Sequence, residues 1–239
     1  MAQLIEGLTV EGVRANVERV REEIADAAAR AGRSAQDIQL LAAVKYVAVE
    51  ELPVLAQAGI TLVGENRAQE LERKAAAPGG ERLTWDFIGH LQSRKVKTIL
   101  PLVRMIHSVG SDSVIDQLGR YAKDGRERVK VLVEVNIAGE EGKSGIAPAA
   151  LDDFLERTQE VGGVEVAGLM TMPPLASEPE DSRRWFAALA ELAAARGLPE
   201  LSMGTTQDFA VAVQEGATIV RVGTKLYLIA GFSSRLAYS

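Results

Sequence analysis

Residues 39–66, QLLAAVKYVAVEELPVLAQAGITLVGEN, contain one complete unit of the fold. QLLAAVKY (39–46) is a β-rich apolar run, VEELPVLAQAG (49–59) is helix-prone and closes on a glycine, and TLVGEN (61–66) is β-rich again. Strand, helix and strand in about 30 residues is the size of a βαβ crossover. The pattern then repeats. Further β-rich runs fall at TWDFIG (84–89), MIHSVG (105–110), KVLVEVN (130–136), VEVAGLMT (164–171), ELSMG (200–204) and TIVRVGT (218–224), which makes eight. Between them lie helix-prone stretches such as AQELERKAAA, SDSVIDQLGRYA, APAALDDFLERTQEVG and SRRWFAALAELAAARG.

Eight such units predict an α/β fold, a single closed (β/α)8 TIM barrel forming one domain over residues 1–239. An open doubly wound sheet is the alternative. Against it, no GxGxxG turn follows the first strand, and polar residues gather at the C-terminal ends of many strands. Upstream, Val13, Val17, Val20, Ile24, Ala27, Ala28 and Ala31 recur every three or four residues before Gly32, the pattern of an amphipathic helix over 11–31. Because the eighth run ends near 224, this helix is expected to cover the barrel where an eighth crossover helix would sit.

Composition narrows the function. A net charge of -6, with basic and acidic residues interspersed, argues against a nucleic-acid partner. The absence of cysteine removes thiol catalysis, disulfides and Cys-ligated zinc, and suits a reducing compartment. No basic segment precedes an apolar stretch at the N-terminus, and no apolar run reaches the roughly 18 to 20 residues of a membrane span. A cytoplasmic, monomeric protein without membrane contact is expected.

Lys45 ends the apolar run Leu40–Val44. An ammonium carried into an apolar setting loses solvation, which favours the neutral, nucleophilic amine of Schiff-base chemistry. The plainer reading is a lysine snorkelling from a strand end. In a barrel of this type phosphate is commonly held after strands seven and eight, here LSMGTT and RVGT. Gly204 and Gly223 would let backbone N–H groups approach an anion, Ser202, Thr206 and Thr224 supply hydroxyls, and Thr205 or Thr206 can cap the next helix. Either loop alone reads equally well as a simple turn. Arg221 alternates with Val220 and Val222 and so points into the barrel, to pair either with Glu134 or with an acceptor on a ligand. Asn66 and Asn136 end their strands as turn formers or ligand contacts. His90 and His107, the two histidines, lack metal-ligand spacing, so no metal is expected.

Lys45, GEN (64–66), FIGHLQSRK (87–95), HSV (107–109), VEVN (133–136), GKSGI (142–146), GLMTM (168–172), LSMG (201–204) and VRVGT (220–224) occur in that order. With these motifs the chain resembles the pyridoxal phosphate homeostasis proteins, single-domain relatives of the alanine racemase barrel, from about residue 10 to 228. The resemblance implies that Lys45 holds pyridoxal 5'-phosphate as an internal aldimine, that Arg221 approaches the pyridine nitrogen, and that Ser202, Gly204, Thr206, Gly223 and Thr224 surround the phosphate, with Asn66 also in the site. It further implies a carrier that buffers and delivers the cofactor, with apo enzymes as recipients, without robust catalysis. A pyridoxal-phosphate-dependent racemase, with Tyr46 or His90 as second acid/base, and a Schiff-base aldolase-like enzyme are the alternatives. The chain departs from the family pattern at Thr205-Thr206, where Met-Ser is usual, at Tyr46-Val47-Ala48, and at Lys225-Leu226-Tyr227-Leu228.

Overall fold

The computed structural model describes residues 4–123 and 128–227. Eight parallel strands form a ring: β1 (Gln39–Ala43), β2 (Leu62–Glu65), β3 (Thr84–Phe87), β4 (Met105–Val109), β5 (Val129–Glu134), β6 (Val164–Met170), β7 (Glu200–Thr205) and β8 (Ile219–Val222). β8 closes the ring on β1, with Leu41 opposite Arg221 and Ala42 opposite Val222. Each strand alternates its side chains between two environments. Leu41, Met105, Leu132, Met170 and Ile219 fill the barrel interior, whereas Ala42, Val63, Trp85, Phe87, Ile106, Val131, Val133, Leu169, Val220 and Val222 pack outward against the helices.

The connecting helices are α2 (Leu52–Gln57), α3 (Ala68–Ala75), α4 (Val96–Ile99), α5 (Asp112–Lys123), α6 (Leu151–Val161), α7 (Arg183–Ala194) and α8 (Phe209–Gln214). The α1 helix (Val10–Arg30) precedes them all. Its start is capped by Thr9, whose hydroxyl accepts from Gly12 N–H at 3.1 Å, and the chain turns away through Gly32 at φ 66°. Its buried face, Val13, Val17, Val20, Ile24, Ala27 and Ala28, packs against α8, α2 and the 3-10 turn Thr224–Leu226. Burying each Val or Ile there contributes about 1.5–3 kcal/mol. So α1 fills the eighth helix position, as the sequence predicts. Arg33 fastens the arrangement by donating to the carbonyls of Val213 (2.6 Å) and Ala217 (2.9 Å) at the end of α8.

The remaining differences are of length. β1 stops at Ala43, not at Tyr46, and the segment after it is a turn whose Val47 bridges to Ile5, with Ile5 N–H donating to Tyr46 O at 2.7 Å. Three crossover helices, α2, α4 and α8, are a turn or two long. The tail from Leu228 lies outside the described residues. Among the described residues no helix is long and apolar enough to cross a membrane.

Candidate functional site

The C-terminal ends of β7, β8 and β1 lie side by side, so the two glycine- and hydroxyl-bearing loops meet beside the turn that carries Lys45. β7 bends before its end, with a register shift against β8 between Ser202 and Thr205. Gly204 makes that bend at φ 88°, and a Cβ there would come within 2.5 Å of Ala212 Cβ and 2.9 Å of Phe209 Cα. Only glycine fits. The bend sends Thr206 across to β8, where its Oγ1 accepts the Gly223 N–H at 2.9 Å. Gly223 in turn lies against Ala43, and the 3-10 turn beginning at Thr224 presents its first N–H groups without intrahelical partners. Thr206, Gly223 and Thr224 thus form a polar cup at the mouth.

Neither threonine caps α8, contrary to the sequence reading. The cap position is Asp208, whose Oδ1 accepts from Thr205 N–H (2.7 Å) and Thr205 Oγ1 (3.1 Å) while Oδ2 accepts from Ser182 Oγ (3.0 Å). That carboxylate holds the β7 loop from behind. Lys225 points out of the cup and pairs with Glu23 on α1 at 2.6 Å.

Ser202 is not at the cup. It sits deeper in the barrel with no exposure, its hydroxyl 2.9 Å from Arg221 Nη1 and 2.9 Å from His107 Nδ1. The direct phosphate contact expected for it has no support in this geometry, because its hydroxyl already has two partners below the mouth.

Arg221 points inward, as the alternation requires, and is buried. It does not pair with Glu134, which accepts from Ser144 Oγ at 2.8 Å. Its contacts are instead uncharged: Nη1 to Ser202 O (3.2 Å) and Ser202 Oγ, Nη2 to Thr171 O (2.9 Å) and to Met172 Sδ (2.9 Å). Nε has no partner among the described residues. Burial pushes the guanidinium down to about 10, against the longer-range pull of Asp208 and Glu134, so it remains a cation at neutral pH. With both terminal nitrogens engaged, Nε–H is the edge of the guanidinium left for a further acceptor.

Lys45 lies past the strand in the turn and is exposed, with Nζ 4.5 Å from the centre of the Tyr46 ring. The apolar setting expected around it stops at Val44, because the strand ends before the lysine. Asn66, at the end of β2, keeps its Oδ1 buried without a partner among the described residues, while its backbone N–H donates to Glu65 Oε1 at 2.7 Å. Asn136 is a turn former: Nδ2 donates to Glu140 O (2.9 Å) and Oδ1 accepts from Glu140 N–H (3.1 Å). Across the mouth, Ile88, His90, Ser108, Glu134, Lys143 and Met172 line a cavity of about 260 Å³.

Two buried networks escaped the sequence reading. Lys74 on α3 donates to Glu65 Oε2 (2.7 Å) and to Val44 O (2.6 Å), all of it out of solvent. Inside the barrel, His107 joins Ser202 to Asp86, which Arg104 holds from the opposite end. The signal for the second lay in the strands, since Asp86 and His107 alternate with outward-packed Trp85, Phe87 and Ile106.

The alanine racemase N-terminal domain family matches residues 14–230. The pyridoxal phosphate homeostasis protein of Aquifex aeolicus is 42% identical over 215 residues, covering 87% of this chain and 94% of that protein. The chain belongs to the pyridoxal phosphate homeostasis protein family. Among solved structures, an unknown protein from Bifidobacterium adolescentis superposes with a TM-score of 0.83 at 36% identity, covering 94% of this chain and 98% of that one. PipY of Synechococcus elongatus PCC7942, with PLP bound, superposes with a TM-score of 0.73 at 31% identity, covering 86% of this chain and 100% of PipY.

Proposed function

We propose that the chain binds pyridoxal 5'-phosphate at the mouth formed by β1, β7 and β8 and serves the homeostasis and delivery of that cofactor, without robust turnover of its own. The observation that carries this reading is Arg221, a buried cation whose one unpartnered N–H belongs to Nε, in the layer beneath the polar cup and beside the lysine-bearing turn. The residues present fit the group. The cup offers hydroxyl and N–H donors to a phosphate, Asn66 Oδ1 is a buried orphan acceptor, and Gly223 leaves open the space a side chain would enter.

When bound, the cofactor supplies an electrophilic aldehyde and an electron-accepting ring. Lys45 Nζ is the amine for its attachment. Thr206 and Thr224 would hold the phosphate, with Gly223 leaving room for it, Gly204 shapes the loop that brings Thr206 there, and Asn66 would accept from the ring's polar edge. Arg221 Nε–H would serve the ring nitrogen. A guanidinium does not surrender that proton, so Arg221 would leave the nitrogen unprotonated and would disfavour racemisation. Exposure of Lys45 suits delivery, since an incoming amine can reach the attachment point. Apo enzymes that use the cofactor are the proposed recipients, and a cytoplasmic monomer the proposed form.

The test is titration of the purified protein with pyridoxal 5'-phosphate and with pyridoxal, read by visible absorbance. The phosphate ester should give a saturating band and pyridoxal a far weaker one. Equal binding of the two would overturn the cup.

A further inference from the structure

A single chain of hydrogen bonds runs through the barrel from its N-terminal end to Arg221. Arg104, just before β4, grips Asp86 in bidentate fashion, Nε to Oδ1 at 3.0 Å and Nη2 to Oδ2 at 2.6 Å, and its Nη1 donates to Gln39 Oε1 at 2.7 Å. Asp86 Oδ2 also meets His107 Nε2 at 3.0 Å. His107 Nδ1 meets Ser202 Oγ at 2.9 Å, and Ser202 Oγ meets Arg221 Nη1 at 2.9 Å. Asp86, His107 and Ser202 are all fully buried.

Chemistry fixes the direction of every link. A guanidinium only donates, so Arg104 and Arg221 are donors at the two ends. Burial raises the Asp86 carboxyl, but the hydrogen bonds from His107 and Arg104 outweigh it and hold the group below its ordinary value, so it is an ionised acceptor. His107 Nε2 therefore carries a hydrogen. Burial keeps the imidazole neutral, and the two arginine cations oppose a second proton, which leaves Nδ1 with a lone pair. Ser202 must then donate to Nδ1 and turn its own lone pair toward Arg221. The other tautomer would send Nδ1–H into Ser202 Oγ, which would then accept from both His107 and Arg221 and leave its own proton without either of them as an acceptor.

We propose that His107 is a positioning residue for Arg221, acting through Ser202, with Asp86 and Arg104 fixing its tautomer so that the guanidinium plane is locked and Nε–H is left for the bound cofactor's ring nitrogen. The role rests on the cofactor reading above. Ser202 Oγ and O, Thr171 O and Met172 Sδ occupy the two terminal nitrogens of Arg221, and the serine hydroxyl is the one contact among them whose direction a titratable group sets. A preorganised donor of this kind needs no reorganisation when its acceptor arrives.

The experiment is nitrogen-15 NMR of protein labelled at histidine, where the chain has two residues and exposed His90 serves as the internal reference. In the ligand-free protein at neutral pH, His107 should show Nδ1 unprotonated and Nε2 protonated, and Asp86→Asn should reverse the pair. Addition of pyridoxal 5'-phosphate should move the Nδ1 resonance of wild type. In Ser202→Ala that movement should vanish at saturating cofactor, as judged by the visible band, and affinity should fall about tenfold. A protonated Nδ1 in wild type overturns the relay, and so does a cofactor-induced shift that survives Ser202→Ala. Absence of a visible band in wild type overturns the cofactor reading and the role with it, whereas the tautomer result reports on the relay by itself, so the two failures are distinguishable.

Discussion

Lys74 Nζ stands 2.6 Å from the carbonyl oxygen of Val44, the residue immediately before Lys45. The same ammonium is 2.7 Å from Glu65, whose other oxygen accepts from the N–H groups of Asn66 (2.7 Å) and Arg67 (3.2 Å). One buried ion pair between α3 and the barrel thereby sets the ends of both β1 and β2, and with them the backbone at Lys45 and Asn66.

Lys74→Met should therefore cost about 3–5 kcal/mol, because it leaves Glu65 charged and unpaired out of water. Adding Glu65→Gln should recover part of the loss, since the neutral amide needs no counter-ion and its oxygen still accepts from Asn66. Urea unfolding of both variants measures this. A double variant no more stable than the single one would show that the pair is not what the turn depends on.

Thr206 has two tasks, accepting from Gly223 N–H and donating to the phosphate. Thr206→Ala should weaken pyridoxal 5'-phosphate binding by about 1.5–3 kcal/mol, whereas Thr206→Ser should stay near wild type because it keeps the hydroxyl. Binding titrations decide between them. If Thr206→Ser binds as poorly as Thr206→Ala, the methyl and not the hydroxyl is what the loop needs.

Acid sensitivity should carry the signature of His107. Burial, the largest influence, holds its folded value below the ordinary imidazole value, while the unfolded chain titrates near 6.5. Above that pH both states are neutral and the stability is complete. As pH falls below about 6.5 the unfolded chain takes up a proton that the native state refuses, so stability declines by at most about 1.4 kcal/mol per pH unit from this group. Asp86, also depressed, adds its own loss only below about 4, where the unfolded carboxyl protonates. His107→Gln should flatten the curve between pH 7 and 5 in urea unfolding. A decline of unchanged slope in that variant would assign the effect elsewhere.

Gly204→Ala should cost about 1–3 kcal/mol from the positive φ alone, before the contact with Ala212 is counted. It should also impair cofactor binding by moving Thr206. Thermal unfolding together with a binding titration separates the two, and an alanine variant as stable as wild type would mean that the bend is not constrained.

The barrel was legible because the strands announce themselves as short β-rich runs and several helices by period and a glycine stop; Val13 to Ala28 even indicated where α1 would pack. Two positions sit differently from what their local pattern suggests, for physical reasons. Lys45 looks like a strand residue, but Val44 O is taken by Lys74, a residue thirty positions away, and the chain turns before the lysine. Ser202 falls in the β-rich run ELSMG and its hydroxyl suits the cup, yet β7 runs on to Thr205 and the bend at Gly204 leaves the serine inside. Arg221 points inward as its alternation requires, but its partners come from β7 and the segment after β6, which no local pattern connects to it.

Borohydride reduction of the protein loaded with pyridoxal 5'-phosphate, followed by peptide mapping, should place the label on Lys45 in wild type and abolish it, along with the visible band, in Lys45→Ala, whose fold should survive because the side chain is exposed. A label on Lys225 or Lys143, or a band that persists in Lys45→Ala, would contradict the assignment of this site.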